Sequence, residues 1–415
     1  MNEMDVPEIE GARWFGYEAA HPGVSMAIGA VALAGGTPPS RAEMSLLLAS
    51  ACEAYPQLRD QARLPTSPDG RSPVEPGDHL VELPLPPGSG SRGLHQAIEG
   101  VCAEPLPGLS WAVWLLHGHD EDEFALIVRA HQGLLDGVSL ANIMLRTLSG
   151  RVPVRGRARP KPRRRWSPGL VSALAREAAG LLIPAAVPFV AHDTPTHGRH
   201  HRLWAQTSTS RLRSIATAYG ASVNDVYLGA LAGSLRPWLP AGRPRRRQVQ
   251  VMVPLNTRDR GTAAAMGDHV RGLLVPLPCH LPTAAERLAG TERETRRITR
   301  SRRDPNAGAL FDMLPKRWTA AATGLSLRPQ RTSLLATYVQ GPGRPLEIAG
   351  RSIRGLLPLM SLPAGHRLAV GLTEYAGFAY LGVVADRSLP RAEELPERWL
   401  AELDAFEAGM PETAG

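Results

Sequence analysis

The chain has 415 residues, 43% apolar and 21% charged, which suits a globular protein with one large or two ordinary cores. Its three cysteines, Cys52, Cys102 and Cys279, stand far apart with neither CxxC nor Cys/His spacing, arguing against a disulfide framework and a zinc site. The formal charge of +8 is local: Arg151 to Arg165 holds eight Arg or Lys and no acid, while the other 39 basic residues balance 39 acids.

The first residues, MNEMDVPEIEG, are acidic and lack a hydrophobic signal core, so a cytoplasmic protein is expected. An aromatic opening, ARWFGYEAA, leads into HPGVSMAIGAVALAGG, whose small and β-branched residues predict a strand ending at Gly35–Gly36. Ser40 and Glu43 have capping-box spacing before apolar residues at helical period, which predicts a helix from Ser40. DHLVELPLPPGSGS predicts a strand and a Pro/Gly turn, followed by a short helix from His95 to Cys102. LSWAVWLLHG and EFALIVRA read as an antiparallel pair around the turn 119–123, with His117 and His119 as strand-end and turn histidines.

After that second strand come HQGLLDG and an amphipathic run from Val138. A His, an Asp and two Gly at a strand-to-helix junction are the ingredients of a site on a rigid edge. They equally suit a plain connection in which Asp136 caps the helix. Residues 151 to 168 cannot build a core and read as an interdomain linker. The apolar run beyond Pro168 is interrupted by Arg176, Glu177, Gly180, Pro184 and Pro188, which argues against a membrane span. It suits either a helix packed on its own domain or an amphipathic helix on an anionic lipid surface beside the basic tract.

The pattern then restarts. A strand from Arg202, a helix ending near Gly220 and a longer helix from Ser222 or Asn224 precede strands at 249–258 and 270–278 and a charged helix at 283–301. Strands at 333–343, 366–377 and 378–386 and a helix at 390–409 close the chain. This series is α+β twice over.

HQGLLDG resembles the HHxxxDG motif shared by non-ribosomal peptide condensation domains and the bacterial wax ester synthase/diacylglycerol acyltransferase (WS/DGAT) family. His131 falls on the first His, Gln132 on the second, Asp136 on the Asp and Gly137 on the Gly. The likeness extends from about residue 13 to 405. HPGVSMAIGAV, DHLVELPLPPG and EPLPGLSWAVWLLHG follow the family's order, with Pro107 where the family has an Asp. ASVNDVYLGALAGSLRPWL is similar to its Asn-Asp helix, and the segment with Arg258 and Gly267–Asp268 to the following strand–loop–strand, Asp268 replacing an Asn. QGPGRPLEIAG resembles its Pro-Gly-Pro segment with Gln340 in first place, and LTEYAGFAYLGVVAD its last hairpin.

The resemblance implies two chloramphenicol acetyltransferase-like halves meeting in a V-shaped pseudo-dimer. Residues 1–150 would form the half carrying the HQxxxDG loop, 151–194 a basic linker and crossover helix, and 195–415 the second half. It implies transfer of an acyl group from a CoA or carrier-protein thioester to a small hydroxyl- or amine-bearing acceptor, without a cofactor or metal. His131, Gln132, Asp136 and Gly137 would be catalytic, and Asn224 and Arg258 would bind substrate. In the family the second His is the base, suited by a pKa near neutrality. The Gln132 amide cannot take that proton and offers only hydrogen bonds. Three readings follow: a transferase in which Gln132 orients the acceptor or His131 acts instead, a same-fold protein of altered chemistry or a binding role, and a nucleic-acid binder suggested by the Arg/Lys tract alone. Basic charge without interleaved aromatics or a binding module is a poor signal for the last.

Overall fold

A computed structural model describes residues 11–60, 74–135, 140, 167–182, 186, 196–239, 248–256, 270–301, 310, 313–314 and 316–410. In chain order the first part holds α1 (Ala12–Ala19), β1 (Ala27–Gly35), α2 (Arg41–Ala54), α3 (Pro56–Asp60), β2 (Leu80–Pro84), α4 (Gly90–Ala103), β3 (Trp111–His117), β4 (Glu123–His131) and α5 (Pro168–Leu182). Then come β5 (His200–Ser208), α6 (Thr209–Ala218), α7 (Val223–Ser234), β6 (Val249–Asn256), β7 (Val270–Leu277), α8 (Ala284–Ser301), α9 (Lys316–Ser326), β8 (Leu334–Gln340), β9 (Glu347–Ile348), β10 (Arg351–Leu359), β11 (Leu368–Tyr375), β12 (Phe378–Asp386) and α10 (Leu395–Ala408).

The strands form two six-stranded sheets, ordered β2-β3-β4-β1-β10-β9 and β5-β12-β11-β8-β6-β7. β3 and β4 are the expected antiparallel pair, Trp111 opposite Ala130, and both are buried along nearly their whole length. Continuous apolar strands follow from covering both faces of a sheet. One face packs on Met44 and Leu48 of α2, the other on Leu94 and Ile98 of α4. α2 begins with the capping box predicted at Ser40 and Glu43.

The second sheet carries one large core, with α7, α8 and α10 against it. α7 is buried on every side from Asp225 to Ser234, which explains its nearly unbroken small and apolar sequence.

One expected boundary does not match the strands. β9 and β10, placed with residues 195–415, belong to the first sheet, where β10 pairs antiparallel with β1 from Gly29 opposite Leu359 to Ala34 opposite Ile353. β4 covers the other side of β1, so β10 satisfies backbone groups that would otherwise line an open edge. The β11–β12 hairpin of the second sheet then bonds to this visiting strand. Tyr375 donates to the Ile353 carbonyl at 3.1 Å and accepts from the Leu346 amide at 2.7 Å, while Tyr380 donates to the Arg354 carbonyl at 3.2 Å.

A second link runs through arginines. Arg129 of β4 donates to the Val101 and Glu104 carbonyls at 2.6 and 2.9 Å, and Arg202 of β5 donates to the Cys102 carbonyl at 2.9 Å. Two cations thus cap the carbonyl end of α4, the placement a helix dipole favours, and one of them belongs to the second sheet.

Candidate active site

β4 carries its chain to the motif. The last ladder position sets His131 opposite Ala27, and the His131 amide donates to the Ser110 carbonyl at 2.7 Å. The chain then turns tightly. The Gln132 amide donates to the Met26 carbonyl at 2.9 Å and the Leu134 amide to the His131 carbonyl at 2.8 Å. Leu134 and Leu135 are buried in the first core and pin the turn. Asp136, Gly137 and Arg258 lie outside the described residues, as do Gly267–Asp268 and the basic tract 151–165.

His131 is buried and held on three sides. Phe15 of α1 stacks on its ring with centroids 4.0 Å apart and planes within 6°. The Gly133 amide donates to Nδ1 at 2.9 Å, so Nδ1 is the acceptor in this contact. Nε2 lies 3.3 Å from Glu18 Oε2, a close polar contact without the alignment of a hydrogen bond, and meets no other partner among the described residues. Glu18 Oε2 also accepts from the Met26 amide at 2.5 Å. Burial pushes the Glu18 carboxyl up, but the contact with His131, the Met26 amide and the charge of Arg129 outweigh it and hold the group below the ordinary 4.5.

Gly133 is glycine because of this packing. A Cβ there would come within 2.4 Å of the Phe15 ring and 2.9 Å of His131 Nδ1. Gly11, just before α1, lies against the Gly133 carbonyl, where a Cβ would overlap it at 2.1 Å. α1 therefore sits directly on the motif loop. Its other contacts reach the second part of the chain: Trp14 and Tyr17, together with Met26 just before β1, pack with Met252 and Leu327, and the Tyr17 hydroxyl accepts from the Ala364 amide at 3.1 Å.

Gln132 is partly buried, and its side chain has no hydrogen-bond partner among the described residues. His131 and Gln132 therefore differ sharply: one ring is enclosed, while the neighbouring amide has bonding capacity left over. Asn224 is not the cap of α7. Ser222 is, with its Oγ accepting from the Asp225 amide and the Asp225 carboxylate returning to the Ser222 amide at 2.8 Å. Asn224 sits in the first turn, partly buried, and no described hydrogen bond joins it to residues 131–135. Its neighbour Asp225 is the buried brace, accepting also from Thr295 Oγ1 of α8 at 2.5 Å.

Sequence reasoning passed over Glu18, Phe15 and Gly133, and met Asp225 only as part of the Asn-Asp helix. Ser–x–x–Asp spacing at 222–225 was a readable signal for the last. The other three become significant only once α1 is folded onto the loop.

Two six-stranded mixed sheets are joined by β10 as a crossing strand, with His131 and Gln132 at the end of β4, and similarity to known proteins gives the class to which this fold belongs. Residues 70–169 match the wax ester synthase/diacylglycerol acyltransferase catalytic domain, and 266–407 match the WS/DGAT C-terminal domain. The chain belongs to the WS/DGAT family. A probable diacylglycerol O-acyltransferase of Mycobacterium tuberculosis strain H37Rv, tgs1, is 26% identical over 410 residues, covering 88% of this chain and 87% of that protein. Among solved structures, the wax ester synthase/diacylglycerol acyltransferase from Marinobacter aquaeolei VT8 aligns with a TM-score of 0.61 and 20% identity, over 93% of this chain and 95% of the other. The first condensation domain of the calcium-dependent antibiotic synthetase, in complex with a substrate analogue, gives 0.67 and 17%, over 98% and 96%. The starter condensation domain of rhizomide synthetase, in complex with C8-CoA and Leu-SNAC, gives 0.64 and 14%, over 96% and 92%.

Proposed function

We propose that this protein transfers an acyl group from a CoA or carrier-protein thioester to the hydroxyl, or amine, of a small acceptor, with Gln132 orienting that acceptor. The observation that carries this reading is the enclosure of His131. Nδ1 accepts from the Gly133 amide, Nε2 is buried against Glu18 and Phe15 covers the ring face, which leaves Gln132 as the partly exposed polar side chain of residues 131–135. His131 holds the loop; it does not replace the missing base.

The chemistry balances without a strong base on the protein. The acceptor oxygen bonds to the acyl carbon, the C–S bond breaks, and the acceptor's proton ends on the departing sulfur, directly or through water. A thiolate whose thiol has a pKa of about 8.5 is itself basic enough to receive it. Loss of a general base costs about a hundred- to ten-thousand-fold, while positioning contributes a comparable or larger share. A slow but real transferase is the expected result.

C8-CoA in the rhizomide synthetase domain supports acyl-CoA as the donor class, and the mycobacterial relative's name supports a lipid hydroxyl as acceptor. Contact with an anionic membrane surface through residues 151–194 completes the proposal. Among the described residues no helix is long and apolar enough to cross a membrane. α5 nevertheless leaves Val171 54% and Leu182 71% exposed, directly after the tract of eight basic residues. The deciding experiment incubates the purified chain with radiolabelled acyl-CoA and, separately, acyl carrier protein, against diacylglycerol, a long-chain alcohol and an amine. Ester or amide formation above a boiled control is expected. No product from either donor with any acceptor overturns the reading in favour of a same-fold protein of other chemistry.

A further inference from the structure

The polar contacts around the motif close a loop in space that runs through a residue outside it. Glu18 Oε2 takes the Met26 amide and faces His131 Nε2, while the Met26 carbonyl takes the Gln132 amide. Gln132 is thus joined to Glu18 along the chain through His131 and across it through Met26. The two paths leave the turn little freedom to rotate while the carboxylate stands. His131 contributes its ring, not reactivity, to this arrangement, with Phe15 covering one face and the Gly133 amide fixing Nδ1.

We propose that Glu18 is a positioning residue whose carboxylate sets the direction in which the turn presents Gln132. The proposal rests on the role given to Gln132 above, because a misdirected amide matters only if that amide meets the acceptor. The geometry makes Glu18 Oε2 the acceptor for the Met26 amide and sets the same oxygen 3.3 Å from His131 Nε2. A glutamine amide oxygen at the same place keeps the bond from the Met26 amide and the contact with His131, so the neutral substitute keeps the orientation and alanine loses it. A carboxylate acting through its charge, by making His131 basic, gives the opposite pattern: both substitutes fail alike. Misplacement of a reacting partner by about 1 Å costs up to about a hundredfold in rate.

The test combines kinetics with hydrogen exchange on the full chain. Glu18→Ala is expected to lower kcat about ten- to a hundredfold, with the thioester KM changed less than about threefold, because the lost interaction orients and does not bind donor. Glu18→Gln is expected to recover most of that loss. In a Gln132→Ala background the Glu18→Ala penalty is expected to shrink to less than about threefold, since contacting residues in one network are not additive. An undiminished penalty there, or equal damage from Gln and Ala, overturns the proposal. Exchange of the Gln132 and Gly133 amides, read by mass spectrometry on a peptide spanning 126–135, is expected to speed up at least tenfold in Glu18→Ala and stay slow in Glu18→Gln. Unchanged exchange in Glu18→Ala overturns the proposal even if the native protein transfers no acyl group, a result that by itself counts only against the proposed function.

Discussion

Phe15 and His131 lie ring on ring, 4.0 Å apart and nearly parallel, although 116 positions separate them in the chain. This stack presses α1 onto the motif loop and takes one face of the imidazole from solvent. Phe15→Ala removes it and opens a gap beside a glycine that cannot fill it. A loss of about 1–3 kcal/mol is expected, with the urea midpoint as the measurement. Phe15→Leu keeps part of the apolar contact and should fall between. An unchanged midpoint for the alanine variant would show the stack to be energetically idle.

Gln132→His places an imidazole of near-neutral pKa where the proposed function puts the acceptor. Turnover is expected to rise, by up to about a hundredfold, with a new dependence on pH between about 5 and 8. His131→Ala tests the other half of the argument. It is expected to lower stability through loss of the stack and the Gly133 contact, and to damage activity through that loss. Should Gln132→His change nothing while stable His131→Ala abolishes transfer, the roles of the two residues are reversed.

Acid should reach the site through Glu18. Its folded pKa is held below 4.5, so its contribution to stability is complete above that value and is lost as pH falls through the lower folded value. Burial opposes this direction, and the His131 contact, the Met26 amide and the charge of Arg129 set it. Comparing the native chain with Glu18→Gln by urea titration from pH 7 to pH 3, the difference in stability should shrink towards the acid end. A difference that grows on acidification would mean the sign is wrong.

Arg202→Ala removes the second sheet's grip on α4. It leaves the Cys102 carbonyl without that partner, and a cost of about 1.5–3 kcal/mol is expected for a bond from a charged donor. Limited proteolysis should then cut the connection between β4 and β5 faster at unchanged protease concentration. Equal cutting rates and equal midpoints would show that the two sheets are held together elsewhere, at β10.

Binding to vesicles containing phosphatidylserine should fall steeply between about 0.05 and 0.5 M salt if residues 151–194 meet an anionic surface. Replacing the eight basic residues of 151–165 with Ser should abolish it. Salt-insensitive binding, or none, leaves that tract as a linker.

Most secondary structure was legible because it depends on neighbours along the chain. The capping boxes at Ser40–Glu43 and Ser222–Asp225 are local, as is the period of α10. β10 was not legible as a strand of the first sheet. The run RSIRGLLPL shows that it can be extended, but its partner β1 lies more than 300 residues earlier, and no local pattern states that pairing.

The candidate site divides along the same line. Local chemistry and family likeness located His131 and Gln132 and showed that an amide cannot do the work of an imidazole. The sequence by itself therefore determined the family and the two-part α+β architecture. Only the tertiary structure decided which motif side chain is enclosed and which is left with capacity to bind. That outcome depends on α1 lying over the loop, with Phe15 and Glu18 closing on His131 and Gly133 thin enough to permit it. Contacts of this kind are decided by the distance between atoms after folding, and spacing along the chain carries no record of them.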